Sequence, residues 1–409
     1  MNAPLINELR LARSEKSPRP HKKLRVALFS GNYNYVMDGP VRALNKLVEH
    51  LQGRGHEVLV FAPTVANPAF DHVGELVSIP SIPGFGSRKE YRVGLGLFGE
   101  AKAKLDAFAP NLIHIAAPDL TGYLAQRYAQ QRAITTVASY HTRFDTYLRY
   151  YNLTWLERHA SRYMRRFYGR CAHVYVPSQS MSAQMMREGY KDNFRLWQRG
   201  VDRDIFNPHQ RDMSWRAQHG FDNNDIIVLF VGRLVKEKGL DFLVEATKLS
   251  SKANPRIKTL IVGEGPERAQ LQLDLPDAIF TGFLQGEDLA RAYASADVFF
   301  NPSLTETFGN VTLEAMACGL PSVCAAASGA LSLVKDGFNG LLSDPANGAS
   351  GLAEKLISLA GNENLRREYS LNAVGRAQTY SWTTILDGLI EDYYEAIGGH
   401  QDQPQPVGV

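Results

Sequence analysis

Apolar positions fall along this chain in short, nearly continuous runs set between helical patterns. The first run, residues 24–30, reads Leu-Arg-Val-Ala-Leu-Phe-Ser and closes on Gly31. Such a run predicts a parallel strand covered on both faces. Asp38-Gly39-Pro40 follows, with proline where a helix begins and no backbone N–H is missed. Val41, Leu44, Leu47, Val48 and Leu51 then recur at helical spacing. Further strands are expected at 57–61, 112–115, 136–140 and 173–176. The pattern restarts with a strand at 226–231 ending at Gly232, a helix near 240–250, and strands at 259–262, 278–280, 298–301 and 322–325. Strands alternating with helices mean parallel sheets. The expectation is two α/β domains, 24–203 and 204–380, joined near 200–208 and without a sequence-level repeat. Ser381 caps a last helix, 381–398, whose Trp382, Ile385, Leu386, Leu389, Ile390, Tyr393, Tyr394 and Ile397 share one face. Residues 1–23 and 399–409 are expected to be tails.

Composition narrows the class. Of the 409 residues, 44% are hydrophobic and 21% charged, which excludes a wholly disordered chain. No apolar run approaches the ~20 residues of a membrane helix. The first 23 residues lack the apolar centre of a secretory signal. Cys171, Cys318 and Cys324 form neither a disulfide framework nor a zinc spacing, which fits a reducing cytosol. The net charge of +3 conceals an asymmetry: residues 1–200 carry 28 Lys and Arg against 15 Asp and Glu, net +13, and the rest carry net −10. A basic half invites an anionic partner. No nucleic-acid recognition motif accompanies it.

Two facing α/β domains make the cleft between them the default site. Gly232-Arg233 ends a strand, and Lys236-Glu237-Lys238-Gly239 opens the next helix, so Arg233 and Lys238 are placed to reach an anion. Two surface charges on a loop would read the same way in isolation. After the strand at 298–301 comes Thr305-Glu306-Thr307-Phe308-Gly309-Asn310, with Glu314 one turn into the helix that Gly309 starts. A glycine at a helix N-terminus suits phosphate, and the two glutamates suit paired sugar hydroxyls. Asp202-Arg203-Asp204 spells a metal-binding Asp-x-Asp but lies in the domain join, so no metal site is expected. Ser30-Gly31-Asn32-Tyr33-Asn34-Tyr35 replaces the glycine fingerprint of a nicotinamide enzyme and excludes one.

Together Gly232-Arg233, Lys238-Gly239, Gly263-Glu264-Gly265-Pro266, and Glu306 with Glu314 resemble the retaining nucleotide-sugar glycosyltransferases of family 4. The likeness runs over 24–398 and includes Gly200-Val201-Asp202, Phe206-Asn207-Pro208 and Tyr140-His141-Thr142. It implies the GT-B fold, two Rossmann-like domains and a C-terminal helix crossing back to the first. It implies catalytic roles for Arg233 and Lys238 on the donor diphosphate, Glu306 on the donor sugar, and His141 beside that sugar. It further implies donor contacts from Gly39, Gly232, Gly263, Glu264, Gly265, the backbone of Phe308, Gly309 and Asn310, and Glu314 on the ribose. The family usually has Gly-Gly where this chain has Asp38-Gly39. No cofactor or metal is implied, because the leaving diphosphate is offset by Arg233 and Lys238. Attack on the same face of the sugar, with the leaving phosphate taking the acceptor proton, needs no side-chain base. A GT-B epimerase or hydrolase is the remaining enzyme alternative, separable by product analysis.

The stretch 140–151, with Arg143 and Tyr147, resembles the lipid-modifying members, the sulfolipid synthases and membrane mannosyltransferases. A lipid acceptor is therefore expected, with a UDP-sugar favoured as donor over GDP-mannose. Residues 155–171 read as a two-faced helix. Arg158, Arg162, Arg165, Arg166 and Arg170 lie on one side; Leu156, Ala160, Tyr163, Met164 and Phe167 lie on the other. A basic face of this kind docks on anionic membrane, at about 1 kcal/mol per basic residue. A solvated helix surface is the plainer reading. The expected location is cytoplasmic, peripheral on the inner face of the membrane.

Overall fold

The computed structural model describes residues 23–84, 91–140 and 154–401. Two sheets organise them. In the first, β1 (Arg25–Phe29), β2 (Glu57–Ala62), β3 (Glu75–Ser78), β6 (Leu112–Ile115), β7 (Thr135–Ser139), β8 (His173–Val176) and β9 (Phe194–Leu196) run in the order β3-β2-β1-β6-β7-β8-β9. A small antiparallel hairpin, β4 (Ser81–Pro83) with β5 (Arg92–Gly94), stands apart from it. The second sheet has the order β12-β11-β10-β13-β14-β15, from β10 (Ile226–Val231), β11 (Ile257–Val262), β12 (Ile279–Gly282), β13 (Val298–Asn301), β14 (Ser322–Ala325) and β15 (Gly340–Ser343). All pairings within the two main sheets are parallel.

The central strands are buried on both faces, as their continuous apolar runs require. Along β1, Ala27 and Phe29 enter one core with Leu105, Ala125 and Phe167, while Val26 and Leu28 enter another. Along β10, Ile227 and Leu229 alternate in the same way with Val228 and Phe230. The helix Gly39–Gly53 starts where Asp38 accepts the N–H of Val41 at 2.9 Å, with Pro40 in its first turn.

The last helix, Trp382–Gln401, belongs to the first domain's packing. Leu386, Leu389, Ile390 and Tyr393 share a core with Val26, Leu28 and Val60. Tyr393 hydroxyl meets His114 Nδ1, and Ser139 Oγ holds His114 Nε2 at 3.0 Å. Complete burial pushes this histidine down to about 3, so it stays neutral. Asp387 receives Arg54 at 2.6 Å and His50 at 2.7 Å. At the domain join, Gly200 lies against the Trp382 ring, where any Cβ would collide. Asp202 Oδ1 accepts the N–H of Asp204 at 3.2 Å, so the Asp-x-Asp serves a local turn. β3, β9, β15 and the β4–β5 hairpin lie beyond the sequence reading: each strand is three or four residues long, and all stand at a sheet edge or apart, with little apolar run to mark them.

Candidate functional site between the two sheets

In both sheets the chain order reverses at the middle, between β1 and β6 and between β10 and β13. Crevices at such reversals, beyond the carboxyl ends of the strands, are where α/β sheets bind ligands. The residues singled out above gather there.

On the second domain, Gly232 and Arg233 leave β10, and Arg233 is exposed. The turn Lys236–Lys238 follows, closed by Gly239 at φ 72°. Thr305 hydroxyl donates to Glu237 carbonyl at 2.9 Å, tying this turn to the loop after β13. Across that contact Lys238 ammonium pairs with Glu306 carboxylate; both are mostly covered, at 27% and 15% exposure. Gly309, at φ 96°, starts the helix Asn310–Ala317, and Glu306 carbonyl accepts the N–H of Gly329 at 2.9 Å. The Phe308 side chain is 4% exposed and packs edge-on against Tyr380, leaving its backbone to the crevice loop. Glu314 accepts the Tyr293 hydroxyl at 3.1 Å, and burial pushes its carboxyl up to about 7. Gly263 and Gly265 let the loop after β11 lie on the loop after β10: a Cβ at either would overlap the carbonyl of Gly232 or Leu234. Glu264 pairs with Arg268 and is about half exposed.

On the first domain, Gly39 stands opposite Asn310, so close that a Cβ would lie 2.8 Å from the amide nitrogen. Two residues beside it escaped the sequence reading. Asp38 caps the helix and also receives Tyr91 hydroxyl at 3.2 Å and Asn32 amide at 3.4 Å. Burial raises its carboxyl, and the hydrogen bonds from Val41, Tyr91 and Asn32, followed by the charge of Arg233, pull it partly back. Arg42, one turn into the same helix, brings its guanidinium to 3.9 Å from Glu314. Asp38 carried a signal, a helix-capping residue before Gly-Pro. Arg42 carried none, since its partner comes from 272 positions away along the chain. Ser178 hydroxyl completes the crossing by donating to Thr307 carbonyl at 3.4 Å.

The cleft is therefore lined by two cation–carboxylate pairs, Lys238 with Glu306 and, across the domains, Arg42 with Glu314, while the charge of Arg233 is felt at Asp38. Such a surface offers cations to an anion and carboxylates to hydroxyls at once.

His141, Arg143 and Tyr147 lie outside the described residues. The predicted basic helix is observed as Thr154–Tyr168, with Arg158, Arg162, Arg166 and Arg170 exposed along one flank. Two expectations for it change. Arg165 leaves the basic face, its guanidinium donating to Glu188 carbonyl at 3.2 Å. Tyr163 leaves the packed face: it is 39% exposed, and its hydroxyl donates to Pro118 carbonyl at 3.0 Å. Among the described residues no helix is long and apolar enough to cross a membrane, and no His, Cys, Asp and Glu group could hold a metal ion.

With the geometry in place, comparison with known proteins is direct. Residues 37–205 match the family described as Glycosyltransferase Family 4, and residues 212–376 match Glycosyl transferases group 1. A GDP-mannose-dependent alpha-mannosyltransferase of Corynebacterium glutamicum is 32% identical over 94% of this chain and 92% of its own. A sulfoquinovosyl transferase of Arabidopsis thaliana is 29% identical over 92% of this chain and 74% of its own. An alpha-monoglucosyldiacylglycerol synthase of Acholeplasma laidlawii is 27% identical over 88% and 94%. Among solved structures, sucrose-phosphate synthase from Thermosynechococcus elongatus superposes with a TM-score of 0.77 at 23% identity, over 91% of this chain and 99% of that one, a likeness of fold. The fold and the site define a glycosyltransferase of the GT-B class. The chain belongs to glycosyltransferase family 4.

Proposed function

We propose that the protein moves a hexose or hexuronic acid, with retention, from a nucleoside-diphosphate sugar to a membrane lipid. The acceptor would be diacylglycerol- or ceramide-like and the product an α-glycoside. One observation carries the donor half: the two cation–carboxylate pairs that line the cleft, with exposed Arg233 at the end of the neighbouring strand. A diphosphate competes for Arg233 and Lys238, and hydroxyls of the sugar and ribose take over Glu306 and Glu314. The donor brings net negative charge into the cleft, which Arg233, Lys238 and Arg42 offset once their carboxylates turn to hydroxyls. As the glycosidic bond breaks, negative charge grows on the leaving diphosphate, where fixed cations stabilise it most. Asn310, at the start of its helix, adds that helix's free N–H groups. No metal is needed in this scheme. His141 is assigned to the donor sugar by the resemblance alone.

Three facts support the lipid half: the diacylglycerol product named for the Acholeplasma relative, the net +13 of residues 1–200, and the exposed arginines of Thr154–Tyr168. The basic half would rest on the anionic inner face of the membrane, with Arg143 and Tyr147 toward the acceptor. A UDP-sugar is the favoured donor. GDP-mannose is the second reading, favoured by the donor named for the Corynebacterium relative. The test is a thermal-shift screen of UDP-glucose, UDP-glucuronic acid, UDP-sulfoquinovose and GDP-mannose, followed by mass spectrometry of lipids glycosylated from whichever binds. Transfer to a water-soluble acceptor with no lipid product overturns the lipid assignment. Hydrolysis or epimerisation without transfer overturns the retaining-transferase assignment.

A further inference from the structure

Outside the cleft, the helices Leu120–Gln131 and Thr154–Tyr168 flank a half-open cavity of about 400 Å³. Its walls are Leu120, Tyr123, Tyr163 and Phe167. Arg166 and Arg170 stand at its rim, both exposed, continuing the flank of Arg158 and Arg162. One polar group also lines it. Gln126 is 1% exposed; its amide nitrogen donates to Phe167 carbonyl at 3.0 Å, but its carbonyl oxygen, buried, has no hydrogen-bond donor. A buried acceptor left unmatched is costly and calls for a donor. Beside the cavity the β4–β5 hairpin lies on the same helix, Gly94 against Thr121 and Gly96 against Leu124. That hairpin and the segment after it expose Ile82, Val93, Leu95 and Phe98. These side chains form an apolar ledge on the segment packed against that helix, whose Leu120, at the cavity, is 49% exposed.

We propose that this cavity binds one molecule of an anionic lipid whose headgroup carries a free hydroxyl. The phosphate would lie between Arg166 and Arg170, the hydroxyl would donate to Gln126 carbonyl, and an acyl chain would run over the aromatic walls to the apolar ledge. The apolar walls favour a lipid over a free phosphate ester, because a small anion leaves them wet. Two guanidiniums exclude a neutral headgroup. The site lies apart from the cleft and leans on the membrane reading above only for the source of its ligand.

The test measures binding with no sugar donor present, so failure of the transferase assignment leaves it interpretable. Neutral phosphatidylcholine vesicles are doped to equal charge with phosphatidylglycerol, which has headgroup hydroxyls, or phosphatidylmethanol, which has none. Native mass spectrometry counts lipids per chain. The full chain should retain one phosphatidylglycerol and bind those vesicles several-fold tighter than the phosphatidylmethanol ones. Arg166→Glu with Arg170→Glu should lose roughly twenty- to thirtyfold on both, the scale of two basic side chains at an anionic surface. Gln126→Met should lose only the preference for the hydroxyl, by about fivefold. Should that core variant not fold, Leu120→Trp at the exposed rim fills the cavity instead and should abolish the retained lipid. Equal binding by parent and double-Glu variant, or no preference between the two lipids, overturns the proposal. So does saturation by free glycerol 3-phosphate, which would make the ligand a soluble phosphate.

Discussion

Replacing Glu314 with Gln should stabilise the protein at alkaline pH while weakening its grip on nucleotide. Glu314 is 13% exposed, and burial lifts its carboxyl from 4.5 to about 7 despite Arg42 at 3.9 Å and the Tyr293 hydroxyl. That rise is worth roughly 3 kcal/mol in favour of the protonated fold. Between pH 4.5 and about 7 the folded protein holds a proton that the unfolded chain has released. Stability contributed by this group is therefore full below the unfolded value, falls as pH rises through the window, and is lost above about 7. Glutamine is neutral throughout and can still accept the Tyr293 hydroxyl. The stability difference between variant and parent should thus be near zero at the acid end and grow to about 3 kcal/mol by pH 8. For a domain of 150–250 residues that is about 6–12 °C in Tm. Thermal denaturation of both proteins from about pH 5 to 8.5 reads this directly; a difference that stays constant with pH refutes a carboxyl raised by burial. Nucleotide affinity gives the second half. If the ionised carboxylate accepts ribose hydroxyls, the parent should bind nucleotide more tightly as pH rises through about 7, and E314Q should bind weakly with no such slope. A flat profile in the parent removes Glu314 from the ribose.

Loss of either cation at the strand ends, Arg233→Ala or Lys238→Ala, should cut turnover by at least ~100-fold in a product assay, the scale of one charge-stabilising group. Activity should survive EDTA; complete loss restored by manganese would show a metal-dependent enzyme. Gly263→Ala should cost about 2 kcal/mol or more, seen as a lowered denaturation midpoint, because φ is 139° and the new methyl would overlap Gly232 carbonyl. Arg158, Arg162 and Arg166 replaced together by Glu should lower vesicle binding and lipid-directed activity far more than donor affinity, an effect that should fade as salt screens the charges over about 8–10 Å.

How much of this was legible in the sequence follows from where the information lies. Strands such as 226–231 are written as unbroken apolar runs because both faces are covered, so β10 and the helix after it, Leu240–Ala253, fall where the pattern puts them. The last helix was legible for the same reason, while its crossing to the first domain followed from the family resemblance; Leu386, Leu389 and Tyr393 there join the first domain's core. Motif residues on one loop, such as Glu306, Gly309 and Asn310, stay together because the chain holds them together. Glycines 263 and 265 were readable as a motif, yet their geometry gives a packing cause, two backbone loops in contact.

What the sequence does not write is the pairing of distant charges. Asp38 stood out only as the residue before Gly39-Pro40 and as a departure from the family's Gly-Gly, and Arg42 not at all. Folding brings the two sheets' reversal points face to face, and both residues then oppose groups of the other domain, Glu314 and Arg233. A second glycine in place of Asp38 would remove the carboxylate that receives the Tyr91 hydroxyl and one of the two acceptors of the Asn32 amide, and the negative charge felt by Arg233. The substitution thus does more than cap a helix: it sets a negative charge opposite a cation expected to hold the donor. If Glu314 meets the donor as proposed, a sugar nucleotide in the cleft competes with Arg42, whose guanidinium reaches Glu314 across the domains, so part of its binding energy would go to loosening that contact.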